Sequence, residues 1–235
     1  MAFISLPNRG LVTLRGPDAA DFLQGLITND IRKLAPGVML YACLLTPQGK
    51  FLHDFFITQE GDTIVLDCEG SERAQDLGRK LGMYRLRKDV QIDVKDENPV
   101  YAGDDLPEGL PDPRHPDMGQ RSFVKPNDIA EGAFEDWDEK RISLTIPDGS
   151  RDLVVGTSTL DEGRMDTLNA GDYQKGCYVG QELTARMHYR GLGKKHLETV
   201  RVDALPEGAE LRSSCRGIGI ALVRGALTAE TDQPS

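Results

Sequence analysis

No apolar run in this sequence approaches the ~20 residues that carry a helix across a bilayer, so no membrane span is expected. The opening residues, Met1-Ala2-Phe3-Ile4-Ser5-Leu6-Pro7, place no basic stretch ahead of a long apolar core, which argues against a secretory signal. Cysteine is scarce. Cys43, Cys68, Cys177 and Cys215 stand far apart and none forms a C-x-x-C pair, so reduced thiols are expected rather than a disulfide framework. His53, His115, His188 and His196 lack metal-ligand spacing, and no metal site is expected. There is no G-x-x-x-x-G-K-[ST], which argues against a P-loop ATPase. Gly217-Ile218-Gly219 lacks the third glycine and following helix of a dinucleotide fingerprint. No serine sits in a nucleophile elbow.

What is present suits a soluble protein with a sizeable core. A fold of 235 residues buries roughly 70–75% of its unfolded surface and needs no covalent staples. Hydrophobic residues make up 39% and charged residues 28%. A net charge of −10 and a pI near 4.9 argue against bulk binding to nucleic acid. Reduced thiols and the missing signal point to a cytoplasmic location.

Local patterns predict an α+β fold. Leu11–Leu14 reads as a strand. Gly16-Pro17-Asp18 opens a helix whose Ala19, Phe22, Leu23 and Leu26 form an apolar stripe, ending near Thr28-Asn29-Asp30. Met39–Thr46 and Phe51–Thr58 form a hairpin about Pro47-Gln48-Gly49. Thr63–Cys68 is a further strand. Ser71 caps a helix carrying Ala74, Leu77 and Leu81, and Val90, Ile92 and Val94 alternate as a half-buried strand. Hairpins with crossing helices favour a split β-α-β domain over residues 1–97. Six prolines interrupt residues 98–127, a loop-rich connection with short strands. Ile142, Leu144 and Ile146 alternate as one strand. A middle domain spans 98–190. A short antiparallel β module, 191–235, holds strands at His196–Val202, Ala209–Ser213 and Ile218–Val223, with Ala229–Ser235 frayed.

One stretch concentrates chemistry: Lys175-Gly176-Cys177-Tyr178-Val179-Gly180-Gln181-Glu182. Cys177 is either a small residue in a tight turn or a reactive thiol that Lys175 favours as thiolate. The glycines would let the backbone approach a ligand closely. Glu182 and Arg186, four apart, would share a helix face, so that the carboxylate stays ionised and accepts from a heterocycle's N–H groups. Residues 183–197 hold Arg186, Arg190, Lys194 and Lys195 and no acid, either a solvated face or a grip for an anionic tail.

This octapeptide resembles the K-G-C-Y-x-G-Q-E signature of the YgfZ family. That family is related to the glycine-cleavage T-protein and includes a mitochondrial iron–sulfur assembly factor. Residues 22–30, 44–50, Tyr84-Arg85-Leu86-Arg87 and 185–191 also resemble family segments in the right order. The resemblance implies three small domains in a ring around a central cavity that takes tetrahydrofolate. It implies an accessory role in iron–sulfur cluster assembly or repair, supporting radical-SAM and tRNA-modifying enzymes, with cluster proteins or assembly factors as partners. On this reading Cys177 and Lys175 carry the chemistry. Tyr178, Gly180, Gln181, Glu182, Arg186 and Arg190 line the folate site. Gln24, Asn29 and Asp30 are added from the first domain, unless they simply satisfy a helix C-terminus. A folate-dependent aminomethyltransferase is the enzymatic alternative, and a tRNA-binding module on the basic stretch is a third.

Overall fold

The short strand β1 (Ala2–Leu6) turns at Asn8, whose φ is 55°, into β2 (Arg9–Arg15). A computed structural model describes residues 2–190 and 193–225 of the chain, with Arg190 as backbone only. The expected fraying of Ala229–Ser235 lies outside the described residues.

After β2, Phe22 N–H bonds back to Asp18 O at 2.8 Å and starts α1 (Ala19–Gln24). The helix stops at Gly25, earlier than its apolar stripe predicts. Residues 26–30 leave it because they have other partners: Ile27 bridges Leu44, and Thr28 N–H donates to Cys43 O at 3.0 Å. The expected hairpin forms as β3 (Leu40–Leu45) and β4 (Phe51–Glu60), followed by β5 (Thr63–Glu69), α2 (Glu72–Arg85) and β6 (Gln91–Lys95). Ser71 holds the N-cap position of α2 but its side chain makes no cap bond; its φ is 52°. These strands build an antiparallel sheet in the order β3-β4-β5-β2-β6.

A second sheet takes β7 (Val100–Gly103), β8 (Leu110–Pro111), β9 (Gln120–Ser122) and β10 (Ala130–Glu131) in the order β10-β1-β7-β9-β8. Its β1 comes from the very start of the chain and pairs antiparallel with β7 and parallel with β10. The first eight residues thus tie the second sheet to the first. Residues 134–143 follow as α3 (Phe134–Ser143), so Ile142 lies in a helix and not in the strand expected at Ile142–Ile146. Acids open this helix and Lys140 and Arg141 close it, matching its dipole. Its period is hidden in sequence because Asp138 and Arg141 face inward with Trp137 and Ile142. A long irregular stretch leads to α4 (Gln181–Arg190) and a third, antiparallel sheet of β11 (Lys195–Arg201), β12 (Glu210–Cys215) and β13 (Ile218–Arg224), in the order β11-β13-β12.

Strands β3, β4 and β5 of the first sheet are buried on both faces. Along β3, Leu40, Ala42 and Leu44 pack with Phe22, Leu23, Leu77 and Leu81 of the helices. The intervening Tyr41, Cys43 and Leu45 join Leu6, Val100, Trp137 and Ile220 in one continuous core that reaches all three sheets. Side chains alternate across a strand, so one strand serves both cores. The fold is α+β, as expected.

Candidate functional site

The signature stretch is a loop clamped at two points, with its thiol held outside. Lys175 and Tyr178 are buried, at 5% and 8% exposure, while Gly176 and Cys177 between them are exposed. The Lys175 ammonium donates to Gln24 O at 2.7 Å and Ile27 O at 2.5 Å, and lies 5.0 Å from the Tyr178 ring centre. It satisfies carbonyls that the end of α1 leaves open. Burial lowers its pKa to about 8; the two carbonyl acceptors favour the charged form. Lys175 therefore anchors the loop, and among the described residues no hydrogen bond links it to the Cys177 sulfur. Tyr178 sits in the shared core, where burial pushes its phenol up to about 12.

Of Gln24, Asn29 and Asp30, only Gln24 bonds to the loop itself. Gln24 Nε2 donates to Lys175 O at 3.2 Å, and its Oε1 accepts from Ile31 N–H at 3.0 Å. Asn29 Nδ2 donates to Tyr41 O (2.8 Å) and Asn169 O (2.9 Å). Asp30 accepts from Arg32 Nε (2.9 Å) and Nη2 (2.7 Å), which holds its carboxyl far below the usual range. Val179 N–H adds a bond to Gly25 O at 3.1 Å. The Gln24 and Val179 bonds tie the loop to the end of α1.

The two glycines of the signature do different things. Gly180 has a φ of 84°, and a Cβ there would lie 2.6 Å from Thr46 O and 2.9 Å from Leu45 Cβ. Gly49 of the hairpin turn, at φ 75°, approaches Gly180 O just as closely. Glycine at both positions lets two backbones touch. Gly176 also needs its positive φ of 96°, but open space surrounds it. The room for an approaching molecule is thus beside Cys177, not beside Gly180.

Gln181 begins α4, and Glu182 and Arg186 do share its face, 2.9 Å apart. Their side chains are 87% and 51% exposed. As placed, this pair stands in solvent and does not enclose a heterocycle. Lys195 approaches Glu210 at 3.6 Å. The Arg190 side chain lies outside what is described.

Burial separates the four cysteines. Cys43, Cys68 and Cys215 are buried and Cys177 is exposed. Desolvation raises the Cys43 thiol well above its ordinary value and that of Cys68 to about 12. Such thiols are poor nucleophiles and poor metal ligands. Cys177 is the accessible one.

Sequence reasoning missed a second constellation, deep between the first two sheets. Asp67 accepts from Arg9 Nε at 2.8 Å and from Arg121 Nη2 at 2.5 Å. Arg114 forks onto Asp112 at 3.0 and 2.7 Å. The guanidiniums of Arg121, Arg114 and Arg9 lie 3.8, 4.7 and 5.8 Å from the Phe56 ring centre. Nearby, Tyr41 O–H donates to Asp54 Oδ2 at 2.7 Å. Burial raises the Asp54 carboxyl, whereas Arg9 and Arg121 hold Asp67 low against the same burial. These residues share no motif; only the two sheets bring them together.

Fold and site together define a protein of the glycine-cleavage aminomethyltransferase architecture with one presented thiol. Residues 4–96 match the GCVT N-terminal domain family. The glycine cleavage system aminomethyltransferase T from Bartonella henselae superposes with a TM-score of 0.72, covering 95% of this chain and 78% of that one, at 14% identity, a likeness of fold. The iron-sulfur cluster assembly factor IBA57 of Homo sapiens, mitochondrial, is 33% identical over 242 residues, covering 87% of this chain and 68% of its own length. The homologue of Neurospora crassa, also mitochondrial, is 30% identical, with 82% of this chain and 52% of its own length covered. The chain belongs to the family of the iron-sulfur cluster assembly factor IBA57. It spans between about half and two thirds of the length of these relatives. Their mitochondrial names overturn the cytoplasmic expectation. Reduced cysteines and an acidic pI describe any reducing aqueous compartment, so composition had no means of choosing among them.

Proposed function

We propose that this protein serves iron–sulfur cluster assembly or repair by presenting Cys177 as one thiolate of a cluster shared with a partner. The observation that carries this reading is the exposure of Cys177 between two buried anchors, while the other three cysteines are buried. Fe–S clusters are held by about four thiolates, and one accessible cysteine supplies one. The remaining ligands come from elsewhere, and a cluster held partly by another molecule is one that can be handed on. Family membership supports the same role. Radical-SAM and tRNA-modifying enzymes are the proposed clients.

The direct test is anaerobic reconstitution with ferrous iron and sulfide, with glutathione supplying the remaining thiolates. Visible absorption of a protein-bound cluster is expected for the wild type and its loss for Cys177→Ser. Equal absorption in both proteins removes Cys177 from the role. A ring of the three sheets around a tetrahydrofolate site is a separate part of the proposal, supported by the likeness to the aminomethyltransferase fold. Calorimetric titration with tetrahydrofolate tests that part separately, and no heat at millimolar ligand removes it.

A further inference from the structure

An exposed leucine in a glycine conformation stands at the turn that follows α2. Past α2, Lys88 N–H bonds to Arg85 O at 2.9 Å and closes a tight turn. Leu86 takes its second position with φ 46° and ψ −110°. Those angles are those of a type II′ turn, whose first central residue is glycine by preference because a Cβ is strained there. The Leu86 side chain is 87% exposed, so burial within this chain does not offset that strain. Met83, at 64%, and Tyr84, at 36%, extend the apolar surface.

Between this turn and α1 runs a cleft of about 780 Å³, walled by Phe22, Gly25 and Leu26 on one side and Tyr84 and Leu86 on the other. Arg85, Arg87 and Lys88 rim it. Asp21 is the acid at the rim, and it pairs with Lys88 at 2.5 Å. Arg85 and Arg87 form no ion pair among the described residues. The cleft is therefore apolar within and positive at its edge, in a chain of net charge −10. Gly25, in the α1 wall, accepts the Val179 N–H bond, two residues from Cys177.

We propose that this cleft docks the protein that shares the Cys177 cluster, through a segment of that partner carrying apolar side chains flanked by carboxylates. The proposal rests on the reading of Cys177 given above. Charge complementarity selects an acidic partner. Two copies of this chain facing each other here would set basic rim against basic rim. Leu86 then repays its strained backbone when the partner covers it.

The test uses a fluorescein-labelled peptide of about 12 residues, a helix with leucines flanked by glutamates, as in helix-in-groove recognition. Matched peptides replace glutamate by lysine, or leucine by serine. Fluorescence anisotropy with the full chain should show binding of the acidic leucine peptide alone. Leu86→Gly should weaken it by about tenfold without lowering Tm, because glycine relieves the turn. Arg87→Glu should weaken it to a similar degree. Equal binding of the lysine peptide, no effect of Leu86→Gly, or no binding at millimolar peptide would each overturn the proposal. So would Leu86-dependent binding to phosphatidylserine vesicles in place of the peptide, or Leu86-dependent self-association in sedimentation. Peptide binding needs no iron, so its failure leaves the cluster reading standing. A cluster unaffected by Cys177→Ser overturns the thiol's role and with it the identity of the partner as a cluster-sharing protein, but not the binding of the acidic leucine peptide to the cleft.

Discussion

The Cys177 loop and the arginine cluster around Phe56 are both rich in charge, and they use it in opposite ways. In the loop, one buried ammonium faces backbone carbonyls and fixes the chain on either side of an exposed thiol. In the interior, three guanidiniums meet two carboxylates almost wholly out of water. A neutral carbonyl pair leaves the loop's function on its surface. A buried ion network spends its charge on joining two sheets, because each ion removed would leave another unpaired. The difference teaches that charge density in this chain does not by itself mark a ligand site.

Breaking the interior should produce the largest effect. Asp67→Ala leaves Arg9 and Arg121 unpaired and should cost about 3–5 kcal/mol, read from urea unfolding. A change below about 1 kcal/mol would mean that water already screens the cluster. The buried interior should also respond to acid. His53 is 1% exposed, and burial, with Arg73 nearby, lowers its pKa to about 4. The unfolded chain takes up that proton first, so stability is lost as pH falls from about 6.5 through about 4, by up to ~3 kcal/mol. Asp76, which accepts from His53 at 2.8 Å, titrates only near 2. His53→Gln should flatten the slope between those two pH values; an unchanged slope would assign it to other groups.

The loop should respond less in stability and more in reactivity. Lys175→Met removes the donor to Gln24 O and Ile27 O and should cost about 1–3 kcal/mol. Hydrogen exchange at the Val179 amide should quicken, since its bond to Gly25 O depends on the same clamp. Unchanged exchange would mean that Tyr178 holds the loop alone. Cys177→Ser should be nearly silent in stability, within about 0.5 kcal/mol, yet should abolish the rapid phase of iodoacetamide alkylation. Persistence of that phase would show that a buried thiol opens readily.

Much of the fold was legible because its signals were local. Pro47-Gln48-Gly49 announced the β3–β4 hairpin, and Phe22 and Leu23 announced α1. Local signals failed where the partner was remote or the inward face was polar. The end of α1 depended on Leu44 and Cys43, and α3 hid its period behind Asp138 and Arg141. The candidate site divides in the same way. The signature singled out Cys177, and the four-residue spacing of Glu182 and Arg186 announced their pairing. That the pair is exposed, and that Lys175 turns toward α1, follows from packing across more than 140 residues of sequence.

By itself, then, the sequence determined most of the local elements, the glycine turns and the one stretch worth attention. Those depend on backbone propensity and on side-chain spacing along a single segment. Only the tertiary structure decided which of four cysteines reaches solvent, which arginines are buried, and which leucine bears a strained backbone in the open. Burial and ion pairing depend on what arrives from elsewhere in the chain, and a residue's own neighbours in sequence carry no record of it.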